Sequence, residues 1–191
     1  MLLLKAYDRR RAVEYARRWA LGRNPLFIDF TGQGGDCTSF VSQAVYAGGC
    51  VMDFTATFGW YYISANERAP AWSGVNEFYD YITGSRDFPP PATREGPFGM
   101  TVDAADAREG DGVQLADNMG DFYHSLMVTG VMGREILVSA HSNDALDRPL
   151  SSYNYADMRV IRIIGLRVEI PEGNCFEDLI EGRSIGAVYD R

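Results

Sequence analysis

The chain has little of what most binding chemistry is built from. Its 191 residues hold two histidines and three cysteines, and basic side chains are outnumbered, 18 Lys and Arg against 26 Asp and Glu, for a net charge of −8. A pI near 4.7 repels phosphate backbones and anionic membranes, so no nucleic-acid or membrane partner is expected. Three cysteines are too few for a disulfide scaffold, and the odd number leaves one thiol free if two pair; a Cys50–Cys175 bridge is compatible with an exported context, but no spacing demands it. Neither C-x-x-C nor H-E-x-x-H occurs, so no zinc site is expected. Gly34 and Gly35 are not followed by the Gly-Lys-Ser/Thr of a phosphate loop. The acidic residues Asp103, Asp106, Glu109 and Asp111 lack the EF-hand pattern and read as a solvated loop.

No apolar run approaches the ~18 residues that span a membrane. Met1 to Leu4 is followed at once by Lys5, Asp8 and three arginines, too short for a signal-peptide core. As written, the chain is expected in the cytoplasm; it is exported or wall-associated if it is cut from a longer protein.

What is present is an ordinary globular composition, 46% hydrophobic and 23% charged, at a length that suits one domain. Helical spacing covers 8–21, where Ala12, Tyr15, Ala16 and Trp19 share a face, then about 37–47, and again 73–82. Gly48-Gly49 closes the second helix as a C-terminal cap would. Residues 84–100, with three consecutive prolines and Gly96-Pro97, read as a loop. Strand-like runs follow at 113–115, 122–131, 135–141 and 160–168. The stretch from Pro171 has no strong period, so the expected core is about 7–166 with 167–191 as an extension of the same domain. Helices first and neighbouring strands later give an α+β fold class.

Cys37 carries the chemistry. A glycine-rich loop, Gly32-Gln33-Gly34-Gly35, leads into Asp36, a good helix N-cap residue, and places Cys37 in the first turn. Unpaired backbone N–H groups and the helix dipole there favour a thiolate and can hold an oxyanion, so an exposed, activated cysteine is expected. The bland alternative is a small apolar residue starting a buried helix.

A thiol nucleophile needs a general base, and the two histidines fall on adjacent strand runs. A two-residue turn at Met132-Gly133 sets His124 directly opposite His141, with Cβ atoms about 5 Å apart. A turn at Gly133-Arg134 sets it opposite Asn143 instead. In either register His124 shares a face with His141 or Asn143.

These residues resemble a family. Gly34-Gly35-Asp36-Cys37-Thr38-Ser39-Phe40-Val41-Ser42-Gln43 is similar to the nucleophile helix of papain-like cell-wall hydrolases of NlpC-like and CHAP type, and more closely to the bacterial "putative amidase domain" family. Tyr7-Asp8-Arg9, Phe58-Gly59-Trp60-Tyr61-Tyr62, Ala71-Trp72, Tyr123-His124-Ser125 and Ala140-His141-Ser142-Asn143-Asp144 agree with it, over about residues 7–165. The resemblance implies a papain-like fold with the nucleophile at a helix start packed on an antiparallel sheet. It implies Cys37 as nucleophile, His124 as base and His141 as third member, with Asn143 and Asp144 as alternates. Gln33 and Asp36 are candidates for the oxyanion and substrate side. Trp60 is a candidate to line a cleft, weighed against plain core packing. The implied activity is cysteine-dependent amide hydrolysis on peptides of cell-wall type, without a metal or other cofactor. A thiol acyltransferase using the same pair, and a non-catalytic binding module of the same fold, are the alternatives.

Overall fold

The computed structural model describes residues 1–85, 87–170 and 173–187. In chain order the elements are strand β1 (Leu3–Lys5), helix α1 (Arg9–Trp19), helix α2 (Cys37–Ala47), a small ribbon of β2 (Tyr62–Ser64) and β3 (Glu67–Arg68), helices α3 (Pro70–Ser73) and α4 (Val75–Thr83), strands β4 (Gly96–Val102), β5 (Gly112–Ala116), β6 (Phe122–Met132), β7 (Glu135–Ala140), β8 (Ala145–Pro149) and β9 (Asp157–Val168), and helix α5 (Phe176–Ile180). The architecture is α+β. Seven strands form one antiparallel sheet in the order β1-β9-β5-β6-β7-β8, with β4 on the far side of β9.

The helices pack against one face of this sheet. Asp8 caps α1 by accepting from the Arg11 amide at 3.1 Å, and the helix buries Ala12, Val13, Tyr15 and Ala16 while its arginines stay outside. Helix α2 is buried on all sides: each of its eleven residues is inside. Such a helix must satisfy its polar groups internally. Thr38 shares a hydrogen bond with Ser125 on β6 at 2.8 Å, Ser42 accepts from the Trp60 indole at 3.0 Å, and Gln43 accepts from the Tyr15 hydroxyl at 2.8 Å. The main core joins α1, α2, α4 and α5 to Met127, Ile161, Ile163 and Leu166; a second, smaller core on the opposite face gathers Val113, Leu115, Leu126, Val128, Val138 and Leu150.

Several sequence expectations need correction. The helix expected over 73–82 is α4, which starts two residues later, after Gly74; a separate short helix, α3, opened by Pro70, precedes it. The loop expected over 84–100 contains most of β4; glycine and proline there mark an edge strand, which tolerates a missing N–H. Position 86 of that stretch lies outside the described residues. Strands β1 and β8 were not anticipated, being short and lacking alternation. Gly48 is not a left-handed cap (φ −76°); a Cβ on it would overlap the Tyr7 ring, and one on Gly49 would overlap Leu166, so close packing is what requires both glycines. Asp111 is not solvated: its side chain is fully buried, paired with Arg9 at 2.6 Å and Arg162 at 3.4 Å, and accepts from the Arg108 amide. The C-terminal stretch is no loose extension. Cys175, Phe176, Leu179 and Ile180 belong to the main core, and Cys175 is bridged to Cys50 with Cα atoms 5.5 Å apart. Positions 171–172 and 188–191 of that stretch lie outside the described residues.

Candidate active site

Cys37, the one free thiol, opens α2. It is 6% exposed, so the expected open thiol is instead nearly covered, because α2 is enclosed along its whole length. Its sulfur touches the Thr38 hydroxyl at 3.9 Å and makes no hydrogen bond to either histidine. The preceding loop stays open: residues 31–34 are exposed and Gly35 adopts φ +100°, where a side chain would be strained. Gln33 lies in this exposed loop, its amide bonded to the Phe30 carbonyl at 2.9 Å.

Asp36 does not cap the helix with its side chain, as the sequence suggested. Its carboxylate is diverted: Oδ2 meets His141 Nδ1 at 2.6 Å, Oδ1 accepts from the Phe30 amide at 3.1 Å, and its own amide donates to Ser142 Oγ at 2.8 Å. With that carboxylate turned away, the amides of Cys37, Thr38 and Ser39 find no acceptor among the described residues. They are free to stabilise negative charge at the helix start. Ser142 is a contributor the sequence reading missed; a small hydroxyl in a left-handed turn (φ 62°) carries no periodic signal.

His141 is buried at 1% exposure, stacked on Phe40 with ring centroids 4.1 Å apart. Both of its nitrogens are engaged, Nδ1 with Asp36 and Nε2 with the Trp19 carbonyl at 2.8 Å. A carbonyl only accepts, so Nε2 carries a hydrogen, and a single further proton lies between Nδ1 and Asp36. This imidazole therefore holds Asp36 and has no nitrogen left for a thiol proton.

His124 is placed differently. It stands opposite Leu115 on β5, between the rings of Tyr123 and Tyr153 at 6.3 and 6.2 Å. Burial lowers its pKa from 6.5 to about 4, so the ring is neutral near pH 7. Its nitrogens make no hydrogen bond among the described residues, yet they are not sealed from solvent.

The expected face-sharing of the two histidines fails, for a clear reason. The turn is at Gly133-Arg134, with Met132 opposite Glu135, but a bulge at Thr129 shifts the pairing by one, so Val128 meets Val138 and Met127 meets Ser139. A one-residue shift sends side chains to the opposite face. Continued past the last pair, the new register sets His141 against Ser125, on the face toward α2, and leaves His124 on the other. The link between His124 and Cys37 runs through their neighbours: Ser125 and Thr38, the residues that follow each of them, are the two joined at 2.8 Å.

The other candidates are distributed around this centre. Asp144 is held by Arg23 through two contacts of 3.0 Å, and Arg23 also reaches Asp29 at 3.2 Å. Asn143 is exposed in a left-handed turn (φ 77°). Trp60 is fully buried between Trp72 and Tyr81, so it is a core residue and lines no cleft. No group of three or more His, Cys, Asp and Glu suited to a metal occurs among the described residues, and no helix there is long and apolar enough to cross a membrane.

An α+β domain that opens a buried helix with its one free cysteine defines a class that comparison with known proteins makes specific. The chain belongs to the family described as "Putative amidase domain", whose profile matches residues 6–164. That membership points to amide hydrolysis. It is also similar to an uncharacterized protein, YhbB, of Bacillus subtilis strain 168, with 30% identity over 82 residues, 42% of this chain and 25% of that protein. The chain thus spans about a quarter of the length of that relative. No solved structure matches it.

Proposed function

We propose that the chain is a cysteine-dependent amide hydrolase of papain-like arrangement, with Cys37 as nucleophile and His124 as general base. The observation that carries this reading is the start of α2, where the one free thiol sits among backbone amides without acceptors. His124 is the base by elimination: of two imidazoles, His141 has both nitrogens engaged. His141 then serves to hold Asp36, and through it the first turn of α2, in place of orienting the base directly.

His124 lies on the sheet face away from α2, so the proposed reaction requires the start of β6, where the pairing with β5 is irregular between Leu115 and Ala116, to turn the ring toward Cys37; the thiol proton then passes to neutral His124 as Sγ attacks the amide carbonyl. The oxyanion is held by the amide of Cys37, with the Gln33 side chain within the same loop as a further donor. His124 returns the proton to the departing amine, leaving a thioester on Cys37. Water, deprotonated by the same ring, releases the acid and restores the thiol. Peptides of cell-wall type are the proposed substrates; that choice follows the resemblance to wall hydrolases, and no residue of the site reads it out.

The test is the pH dependence of iodoacetamide alkylation, mapped by site, in the wild type, Cys37→Ala and His124→Ala, followed by hydrolysis of wall-type peptides with and without a labelled amine acceptor. Alkylation of Cys37 well below the ordinary thiol value of about 8.5, slowed by loss of His124, supports the reading. A thiol that titrates like a free one, or that never reacts, overturns it. Product that forms only with the acceptor marks an acyltransferase.

A further inference from the structure

The family match ends at residue 164, yet the chain beyond it is tied into the candidate site by an unbroken set of contacts. The tie starts at the Cys50–Cys175 disulfide, 125 residues apart in sequence, which anchors the C-terminal segment just past the end of α2. From there the segment offers three main-chain carbonyls to the helical layer. Ile185 accepts from the Tyr46 hydroxyl at 2.7 Å, Leu179 from the Asn24 amide at 2.9 Å, and Ile180 from the Trp19 indole at 3.1 Å. Asn24 passes the tie on to the Tyr15 hydroxyl at 3.0 Å, which donates to Gln43 of α2. Trp19 passes it on through its own carbonyl, which accepts from His141 Nε2 at 2.8 Å. His141 in turn holds Asp36, the residue before Cys37.

We infer that the C-terminal segment, locked by the Cys50–Cys175 disulfide, is a positioning element of the candidate site, holding Trp19 and thereby the His141–Asp36 pair at the start of α2. Trp19 is the positioning residue at its centre: its indole faces the segment and its carbonyl faces His141. Removing the lock frees the segment to open locally, which raises the fraction of time the Trp19 carbonyl is released. The segment thereby makes the site dependent on redox state. A dithiol reductant opens the bridge by two successive exchanges, yielding two cysteine thiols and the oxidised cyclic disulfide of the reductant, with two electrons and two protons transferred to the protein. The bearing on catalysis rests on Cys37 as nucleophile; the positioning itself does not.

The experiment follows the ring N–H protons of His141 by NMR in the full chain, which has one other histidine. Solvent exchange of these protons is compared in the wild type, the wild type with dithiothreitol, Cys50→Ser/Cys175→Ser, and Trp19→Phe. Exchange should quicken about fivefold, the equilibrium worth of one net hydrogen bond, in the reduced protein and the double variant. Trp19→Phe keeps the bridge, and its loss of the indole donor should move the same protons in the same direction. This variant decides the matter if the double variant does not fold. Exchange unchanged in Trp19→Phe, or unchanged after the bridge is opened in a chain whose sheet amides remain protected, overturns the inference. A changed exchange with an inert Cys37 sinks the proposed hydrolase and leaves the positioning element standing.

Discussion

Acidification should destabilise this protein through His124, by an amount the structure sets. In the unfolded chain the ring titrates near 6.5, and burial between Tyr123, Tyr153 and Leu115 lowers that to about 4 in the fold. Above pH 6.5 the ring is neutral in both states and adds no pH dependence. Between about 6.5 and about 4 only the unfolded chain takes up the proton, so stability falls as the pH falls. Below about 4 the full difference is lost, about 3 kcal/mol at 1.36 kcal/mol per pH unit. That is a large part of the 5–15 kcal/mol typical of a domain. His124→Phe keeps an aromatic ring in the slot and removes the titration. Urea unfolding at pH 7, 5.5 and 4 should show the wild type losing about 3 kcal/mol more than the variant over that range. Taking the difference between the two proteins cancels the carboxylates and His141. Parallel losses in the two proteins, or an NMR titration of His124 centred near 6.5, would refute the reasoning.

Asp36→Asn removes the carboxylate that meets His141 inside the protein and should lower stability by about 3 kcal/mol in urea unfolding; a change under about 1 kcal/mol would mean that the pair is not held as described. Cys175→Ser opens a bridge closing a loop of more than a hundred residues and should cost about 4 kcal/mol, a drop of roughly 10 °C in Tm by calorimetry that added reductant reproduces in the wild type. Trp60→Ala should cost about 4 kcal/mol through a cavity in the main core while leaving the pH profile of Cys37 alkylation in place; a profile that moves with stability would return Trp60 to the site.

Much of the helical layer was legible from local pattern. A glycine loop before it, glycines after it and apolar residues at helical spacing place helix α2 at its observed bounds. Helix α1 was shifted by two residues at most. The strands β1, β4 and β8 escaped because edge strands tolerate glycine, proline and short length, and so look like loops until a partner is known. The role of Asp36 was misjudged for a related reason: a carboxylate before a helix usually caps it, and only a histidine more than a hundred residues away draws it elsewhere.

By itself the sequence determined the α+β class, the thiol at a helix start, and the supply of only two imidazoles from which any base must come. These follow from periodicity, capping residues and composition, which act within a few residues of each other. The tertiary structure alone decided which histidine has open nitrogens, that Trp60 is core, and that the chain after residue 164 packs into the main core and is bridged to Cys50. The decisive event was one extra residue at Thr129 in β6. Nothing in the local sequence announces that bulge, yet it sends His124 and His141 to opposite faces of the sheet, because side-chain direction in a strand reverses with every single-residue step.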